Sequence, residues 1–149
     1  MEELVRIGSI KAKVSAADWK DAVTKAGSLL VESGDIKKEY IDNMIASVEE
    51  YGPYMVITKG FALAHAAPCE AVINDSFSLI NLEKGVEFGS PNDPVDVILC
   101  MACKDKESHM ENMMKIAKRL MAPGTVQALS ECEDDVSLYR CINGENEEV

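Results

Sequence analysis

The sequence predicts an α/β fold in which a mixed β-sheet is sandwiched between helices. Two segments with helical periodicity come first, the spacing of apolar residues changes to that of strands from residue 54, and a helical pattern returns near residue 106. Residues 95–103 are almost all apolar, which is typical of a strand covered on both faces. This order of elements favours a sheet with helices on both faces.

The first third of the chain is predicted to hold an edge strand and two helices. Residues 3–14 alternate loosely, as in an edge strand or a lead-in to the sheet. Ser15 and Asp18 resemble a capping pair that opens a helix, and Gly34 closes it. A second helix is predicted over residues 37–51, where a Gly-Pro pair stops it. The apolar faces of these helices are Trp19, Ala22, Val23, Ala26, Leu29 and Leu30, then Tyr40, Ile41, Met44, Ile45 and Val48.

The second half of the chain is predicted to contain the sheet and its remaining helices. Strands are expected at residues 54–58, 76–82 and 95–103, with a loop before the last of them. A third helix is expected at about residues 106–121, and a short helix at about residues 125–129. We expect the third helix to bury a stripe of mostly methionine side chains, formed by Met110, Met113, Met114, Ala117, Leu120 and Met121.

Length and composition predict a single domain over residues 1–149, with residues 145–149 frayed. The chain has 149 residues, of which 47% are hydrophobic, and this is enough for one core. A formal net charge of −11 argues against nucleic acid and anionic membranes, and favours a neutral or basic partner. No apolar stretch reaches membrane-spanning length, and no signal-peptide pattern is present. The odd number of cysteines, five, indicates reduced thiols, so a cytoplasmic location is expected.

His65 is the most informative residue of the sequence. It is the polar residue in a run of small and apolar residues, and it follows a predicted strand and a glycine turn. A neutral imidazole has a free lone pair near pH 7 and can accept a proton or a phosphoryl group. The alternative is a hydrogen-bonded structural histidine at the end of a buried loop. Position favours the functional interpretation, because such loops present reactive groups on a rigid scaffold.

His109 is the second candidate, in the first turn of the predicted third helix. With Asp105 as its N-cap, that turn would offer free backbone N–H groups and the positive end of the helix dipole to an anion. A neutral His109 could then donate a ring N–H to a phosphoryl oxygen. The alternative is an exposed helix residue without such a role. No Lys or Arg occurs between Lys59 and Lys84, so the His65 loop brings no cation of its own.

Other chemistries are disfavoured by the sequence. Cys100 and Cys103 have the spacing of a metal or redox motif, but they lie within a predicted strand, where their side chains point to opposite faces. A nucleophilic pair of Cys69 and His65 lacks an orienting carboxylate and an oxyanion donor. No glycine-rich nucleotide loop is present. We therefore expect neither a cofactor nor a metal ion.

Residues 60–65, with the order Gly-Phe-Ala-Leu-Ala-His, resemble the active-histidine motif of the mannitol/fructose-type EIIA family. These proteins are components of the bacterial phosphoenolpyruvate-dependent sugar phosphotransferase system. The resemblance extends from about residue 19 to residue 120 and is closest to the ascorbate-type branch, through residues 19–23, 52–54, 77–79 and 92–96. It implies a mixed sheet between helices, in agreement with the pattern above.

The resemblance implies a phosphohistidine carrier, a phosphotransferase component in sugar or ascorbate transport. His65 would take the phosphoryl group from the carrier HPr and pass it to a cysteine of an EIIB partner, and His109 would steady the group. Two residues depart from the family pattern: Ala64 replaces the usual Pro before the histidine, and Ala67 replaces an Arg common in ascorbate-type sequences. Small residues near His65 would let a partner approach, and Phe61 and Leu63 would either join that docking patch or face inward.

Two further interpretations stay open from the sequence. The same domain can serve as a phosphorylation-controlled regulatory module, or as a degenerate member that has lost transfer. Neither the transported sugar nor the oligomeric state follows from these residues, since EIIA makes no contact with the sugar in this scheme.

Overall fold

The computed structural model describes residues 3–120 and 122–144, which form five α-helices and a five-stranded sheet. A short 3-10 turn at Ile7–Ser9 precedes the first strand. The strands are β1 Ile10–Val14, β2 Val56–Thr58, β3 Phe61–Ala64, β4 Ser76–Val86 and β5 Val95–Ala102. The helices are α1 Trp19–Glu32, α2 Lys38–Tyr51, α3 Lys106–Leu120, α4 Thr125–Glu131 and α5 Asp135–Asn143.

The sheet is mixed, as the sequence predicted, and its strand order is β1-β4-β5-β3-β2. β1 runs parallel to β4, and β4 runs antiparallel to β5. β5 and β3 are parallel, and β3 and β2 are antiparallel. The predicted edge strand is therefore confirmed as β1. The parallel β3–β5 pair matters most for function, because parallel neighbours end at the same edge of a sheet.

Helices cover both faces of the sheet, which confirms the predicted layering. On one face, α1 and α2 bury Leu30 and Met44 against side chains such as Ile98. On the other face, the three C-terminal helices contribute Ile116, Leu129, Leu138 and Ile142. Cys100 lies in the first of these clusters and Cys103 in the second, so the two thiols point to opposite faces as predicted, and both are free. None of the helices in the described ranges is both long and apolar enough to span a membrane.

The start of α1 corrects the predicted capping pair. Asp18 alone is the N-cap, and its side chain accepts from the Asp21 N–H at 2.9 Å. Asp21 in turn accepts from the Ala17 N–H at 2.9 Å. Ser15 lies outside this arrangement and accepts a bond from Lys25 through its main-chain carbonyl. The reciprocal bonds of two carboxylates therefore replace the Ser-to-Asp pattern.

The three predicted strands are confirmed with changed ends, the last of them ending one residue early at Ala102, and one further strand was missed. The strand predicted at residues 54–58 is shortened to Val56–Thr58, and the one at 76–82 continues to Val86. The segment before His65, interpreted as a loop, is the strand β3, bonded to neighbours on both sides. All four of its residues are buried, so it shows no apolar–polar alternation that would reveal a strand.

The buried methionine stripe predicted for α3 is wrong. Met110 and Met114 are 63% and 69% exposed, and Ala117 is exposed as well. Ile116 is the buried residue of α3, with Met113 and Leu120 partly buried beside it; Met121 lies outside the described residues. The predicted stripe combined residues from two adjacent rows of side chains along the helix. Only the row that contains Met113 and Leu120 packs toward the sheet.

The C-terminal region contains more structure than the sequence indicated. The short helix predicted at 125–129 is confirmed as α4 and continues to Glu131, and α5 after it was missed. Residues 131–135 are mostly acidic and include two structural carboxylates. Asp134 caps α5 in a reciprocal box with Ser137, and Asp135 accepts from the Ala12 N–H at 2.8 Å. The predicted fraying at 145–149 lies outside the described residues.

Candidate functional site

The structure brings His65 and His109 together through the register of two parallel strands. Ala64, the last residue of β3, pairs with Cys100 of β5, so both strands end at one edge of the sheet. His65 follows β3 directly, and β5 leads within a few residues into α3, where His109 lies in the first turn. The two ring centroids are 5.6 Å apart. The predicted proximity of the two histidines is therefore observed.

The His65 imidazole is held by the main chain of its own strand. Its Nδ1 atom lies 2.6 Å from the Leu63 carbonyl oxygen. Because a carbonyl only accepts hydrogen bonds, Nδ1 carries the proton in the neutral ring, and the lone pair is on Nε2. No protein group within residues 3–120 and 122–144 makes a hydrogen bond to Nε2.

The surroundings of His65 favour the neutral ring. Burial lowers the pKa of His65, and the neighbouring His109 lowers it further, while the hydrogen bond to Leu63 acts in the opposite direction. The net effect is a pKa below the ordinary value for histidine. The ring is half-buried rather than enclosed, so an approaching group can still reach it.

Two tyrosines surround the main chain at His65. The Tyr54 hydroxyl donates to the His65 carbonyl at 2.6 Å, and its ring meets the imidazole edge-on with centroids 5.2 Å apart. The fully buried Tyr40 hydroxyl accepts from the Ala66 N–H at 2.9 Å. Sequence reasoning placed Tyr40 on a helix face and Tyr54 at a strand start. Nothing in the local pattern indicated that their hydroxyls meet near His65.

The first turn of α3 is occupied differently from the prediction. Asp105 is confirmed as its cap, because its carboxylate accepts from the Ser108 N–H at 2.8 Å. This backbone hydrogen bond is the main cause that lowers the pKa of Asp105. The carboxylate therefore takes the position that the sequence suggested for an external anion. His109 is half-buried one residue further on, facing His65.

A shallow depression on the surface opens onto the two histidines. Within the described residues it is lined by Ser47, Tyr51, Tyr54, His65, Ala66, Ala67, Pro68 and His109, and none of these is Lys or Arg. The absence of a cation predicted for the His65 segment thus extends to the walls of the depression. Cys69 lies nearby, but its sulfur is 3.6 Å from Asn43 Nδ2, and no contact of this thiol with His65 is found among the described residues.

The apolar residues before His65 do not form the docking surface. Phe61 and Leu63 are 0% and 1% exposed and pack into the core, which decides between the two orientations that the sequence left open. Ala62, Ala64 and Ala66 are buried as well, so Ala67 is the small residue of this run that a partner could touch. The residues of β3 are buried because β3 is an interior strand of the sheet.

The exposed apolar side chains near the histidines come instead from the flanking elements. Tyr51 and Tyr54 are 73% and 38% exposed at the end of α2 and just after it. Met110 and Met114 are exposed on α3, beginning one residue after His109. Large apolar groups exposed beside a reactive cleft are typical of a protein-binding surface. We call these four residues the apolar rim.

Comparison with known proteins identifies relatives over almost the whole chain. Residues 3–145 match the family model described as phosphoenolpyruvate-dependent sugar phosphotransferase system, EIIA 2. The ascorbate-specific PTS system EIIA component of Escherichia coli is 32% identical over 147 residues, which cover 97% of this chain and 96% of that protein. The corresponding protein of Salmonella typhimurium is 34% identical over the same shares.

Solved structures agree with this assignment. A crystal structure from Streptococcus mutans, assigned to the PTS IIA class, is 30% identical and has a TM-score of 0.84, covering 95% of this chain and 90% of that one. Mannitol enzyme IIA of Escherichia coli, in its complex with phosphorylated enzyme IIB, has a TM-score of 0.82 over 94% of this chain and 97% of that one. At 18% identity, that likeness shows the fold alone. This chain belongs to the EIIA 2 family of the phosphoenolpyruvate-dependent sugar phosphotransferase system.

Proposed function

We propose that this protein is a phosphohistidine carrier that accepts a phosphoryl group from HPr on His65 and passes it to a cysteine of an EIIB partner. Family membership gives the broad role, that of a phosphotransferase component. The observation that supports His65 most directly is its tautomer. Because the Leu63 carbonyl holds the proton on Nδ1, the Nε2 lone pair is available to attack phosphorus.

The transfer requires little covalent work from the protein. The lone pair of Nε2 forms a bond to phosphorus as the N–P bond of the donor phosphohistidine breaks, and the Nδ1 proton stays on Nδ1. The protein contributes mainly position and electrostatics, as is general for phosphoryl transfer. His109, whose ring centroid is 5.6 Å from that of His65, would donate a ring N–H to a phosphoryl oxygen.

The apolar rim is the surface proposed to receive both partners in turn. Its four side chains lie at the end of α2, just after α2 and on α3, and three of them are more than half exposed. Within the described residues no cation lines the depression, so the phosphoryl charge would have to be met by backbone N–H groups, by His109 or by the partner. A contact of this kind should be small and transient, because each partner must release the next.

The transported substrate and the cellular setting are proposed by analogy. Relatives with 32% and 34% identity are named ascorbate-specific EIIA components, which supports an ascorbate-like substrate class. The five free cysteines support a cytoplasmic carrier. The mannitol IIA–IIB complex, with the same fold, supports EIIB as the acceptor. A regulatory module would share the phosphorylation step, and transfer to an EIIB cysteine would separate the two roles.

The test is reconstitution of the phosphoryl relay. The protein is incubated with phosphoenolpyruvate, the general enzyme of the system and HPr, and its mass is measured. We expect a gain of one phosphoryl group that is labile to acid and stable to base. His65→Ala should show no gain, and Cys69→Ala, which changes a thiol four residues along the chain, should show the full gain. Phosphorylation of His65→Ala would refute the assignment.

His109 is tested in the same assay. We expect His109→Ala to be phosphorylated, but about a hundred- to a thousandfold more slowly, which is the size of effect seen when one stabilising donor is removed from a transition state. The rate of transfer from phosphorylated HPr is followed by quenched-flow mass spectrometry. Transfer at the wild-type rate would exclude a role for His109.

A further inference from the structure

The hydroxyl groups of Tyr40 and Tyr54 bind the main chain where His65 leaves the sheet. The pairing of β3 with β5 stops at Ala64 and Cys100, so it does not include His65 and Ala66, although β5 continues to Ala102. Buried main-chain polar groups need partners. Tyr54 donates to the His65 carbonyl at 2.6 Å, and Tyr40 accepts from the Ala66 N–H at 2.9 Å. The two tyrosine hydroxyls therefore supply hydrogen bonds, one to the His65 carbonyl and one to the Ala66 N–H, where strand pairing has ended.

Tyr40 connects this segment to the neighbouring strand from inside the core. Its hydroxyl has one hydrogen, which can go to the Met101 carbonyl at 2.8 Å or to the Ala66 carbonyl at 3.2 Å. The shorter contact, to Met101 of β5, is the better bond. Burial raises the pKa of Tyr40, so the hydroxyl keeps this proton. Ala66 is thereby fixed to the end of β5, the strand that leads toward His109.

Tyr54 acts from the solvent side of the same segment. Its ring meets the His65 imidazole at an interplanar angle of 89°, so it limits the rotation of the imidazole toward solvent. Burial raises the pKa of Tyr54, and a hydrogen bond from Ser47 opposes that rise. The phenol stays protonated near neutral pH and remains a donor to the His65 carbonyl.

We infer that Tyr40 and Tyr54 are positioning residues: they hold the His65 main chain so that its ring keeps the bond to Leu63 and directs Nε2 outward. This inference rests on the proposed role of His65. Ala64 does not restrict its own φ as a proline would, so the backbone before His65 is free of that constraint. The two phenols supply the restraint from the other side of the histidine. Neither hydroxyl needs to touch the phosphoryl group.

The kinetic test removes each hydroxyl and keeps each ring. Tyr54→Phe and Tyr40→Phe are compared with wild type in single-turnover transfer from phosphorylated HPr. We expect rates about tenfold lower, less than the ~100-fold cost of moving a reacting group by 1 Å. Tyr139→Phe is the matched control, because Tyr139 lies on α5, which packs against β1 at the opposite sheet edge, and its hydroxyl donates to Glu3 of the N-terminal segment. The control should transfer at the wild-type rate.

The second readout reports the ring itself. Two-bond ¹H–¹⁵N correlation spectra of the imidazoles give the tautomer and the pKa of His65. In wild type we expect the Nδ1–H tautomer to dominate. In Tyr54→Phe we expect a mixture of tautomers and a pKa that falls further below the ordinary histidine value, because the bond to Leu63 raises the pKa of His65. A merely structural role for the hydroxyl would lower the thermal midpoint and leave both ring properties unchanged.

The outcomes separate this inference from the proposed function. Wild-type transfer rates and an unchanged His65 tautomer in Tyr54→Phe would overturn the positioning role, even with His65 phosphorylated normally. If no form of the chain takes up phosphate, the proposed function fails, and the tautomer measurement still decides the positioning role. If Tyr40→Phe does not fold, Tyr54→Phe decides alone.

Discussion

Replacement of Asn143 by Ala should destabilise the protein strongly and leave the histidine site intact. Asn143 is the last residue of α5 and is 2% exposed. Its side-chain oxygen accepts from the Leu4 and Val5 N–H groups at 2.6 and 3.1 Å. Its amide donates to the Val5 and Tyr139 carbonyls, both at 2.9 Å. One side chain therefore fastens the N-terminal segment to the C-terminal helix.

The expected cost follows from the groups left without a partner. The Tyr139 carbonyl can still accept a helical bond, so three main-chain groups are orphaned, two of them on the buried Val5. At about 1 kcal/mol for each lost hydrogen bond, the free energy of unfolding should fall by about 3 kcal/mol. A loss of this size lowers the Tm by roughly 6–12 °C for a chain of this length.

The assay is chemical denaturation followed by circular dichroism, with Ser137→Ala as the control. Ser137 belongs to the exposed capping box of the same helix, and its substitution removes the bond that its hydroxyl accepts from the Asp134 N–H, which should cost only about 1 kcal/mol. The phosphorylation rate of folded Asn143→Ala should equal that of wild type, because α5 packs against β1 at the far sheet edge. If Asn143→Ala costs no more than Ser137→Ala, the four hydrogen bonds do not hold the termini together as described.

Three further predictions concern pH and packing. Because the pKa of His65 lies below the ordinary 6.5, the rate of phosphorylation should fall with acid at a midpoint below pH 6.5, and a midpoint above it would contradict the buried neutral ring. Gly27→Ala places a Cβ 2.7 Å from Ile41 Cγ1, so it should lower the free energy of unfolding by about 1 kcal/mol in denaturation experiments. In an Ile41→Ala background, which removes the clash, the same substitution should stabilise the helix. Equal effects in both backgrounds would exclude this contact. Burial opposes the ionisation of Asp35, but hydrogen bonds and the adjacent Arg6 hold its pKa below 3.8. The stability that the ionised carboxylate contributes is therefore present above about pH 4 and is lost as the pH falls further. The difference in unfolding free energy between wild type and Asp35→Asn should shrink over that range, and a constant difference would argue against the ion pair.

The fold class could be predicted because its largest elements carry their pattern locally. The α1 and α2 helices show apolar residues at helical spacing, and β5 is a long apolar run. β3 could not be found in this way, because its four buried residues become a strand through bonds to β2 and β5, which are set by the whole sheet. The α5 helix did leave a local signal: Asp134 and Ser137 form a capping box, and Gly144 follows the last turn.

The sequence indicated the two histidines of the candidate site but not the two tyrosine hydroxyls that hold the main chain beside them. The resemblance paired His65 with His109, and the parallel register of β3 and β5 explains why they meet. The hydroxyls of Tyr40 and Tyr54 bond to residues 26 and 11 positions away, contacts that no local pattern encodes. For the methionines of α3, the local pattern predicted burial that the structure does not show. Periodicity cannot tell a core row from an exposed row on an adjacent helix face when both are apolar.

In the proposed mechanism, the Leu63 carbonyl fixes the proton on Nδ1 of His65 and leaves Nε2 as the attacking atom. The most direct measurement is ¹⁵N and ³¹P NMR of the phosphorylated protein, which distinguishes the two phosphohistidine isomers. We expect a single phosphoryl group on Nε2 of His65. Phosphate on Nδ1, or on any other residue, would exclude this mechanism.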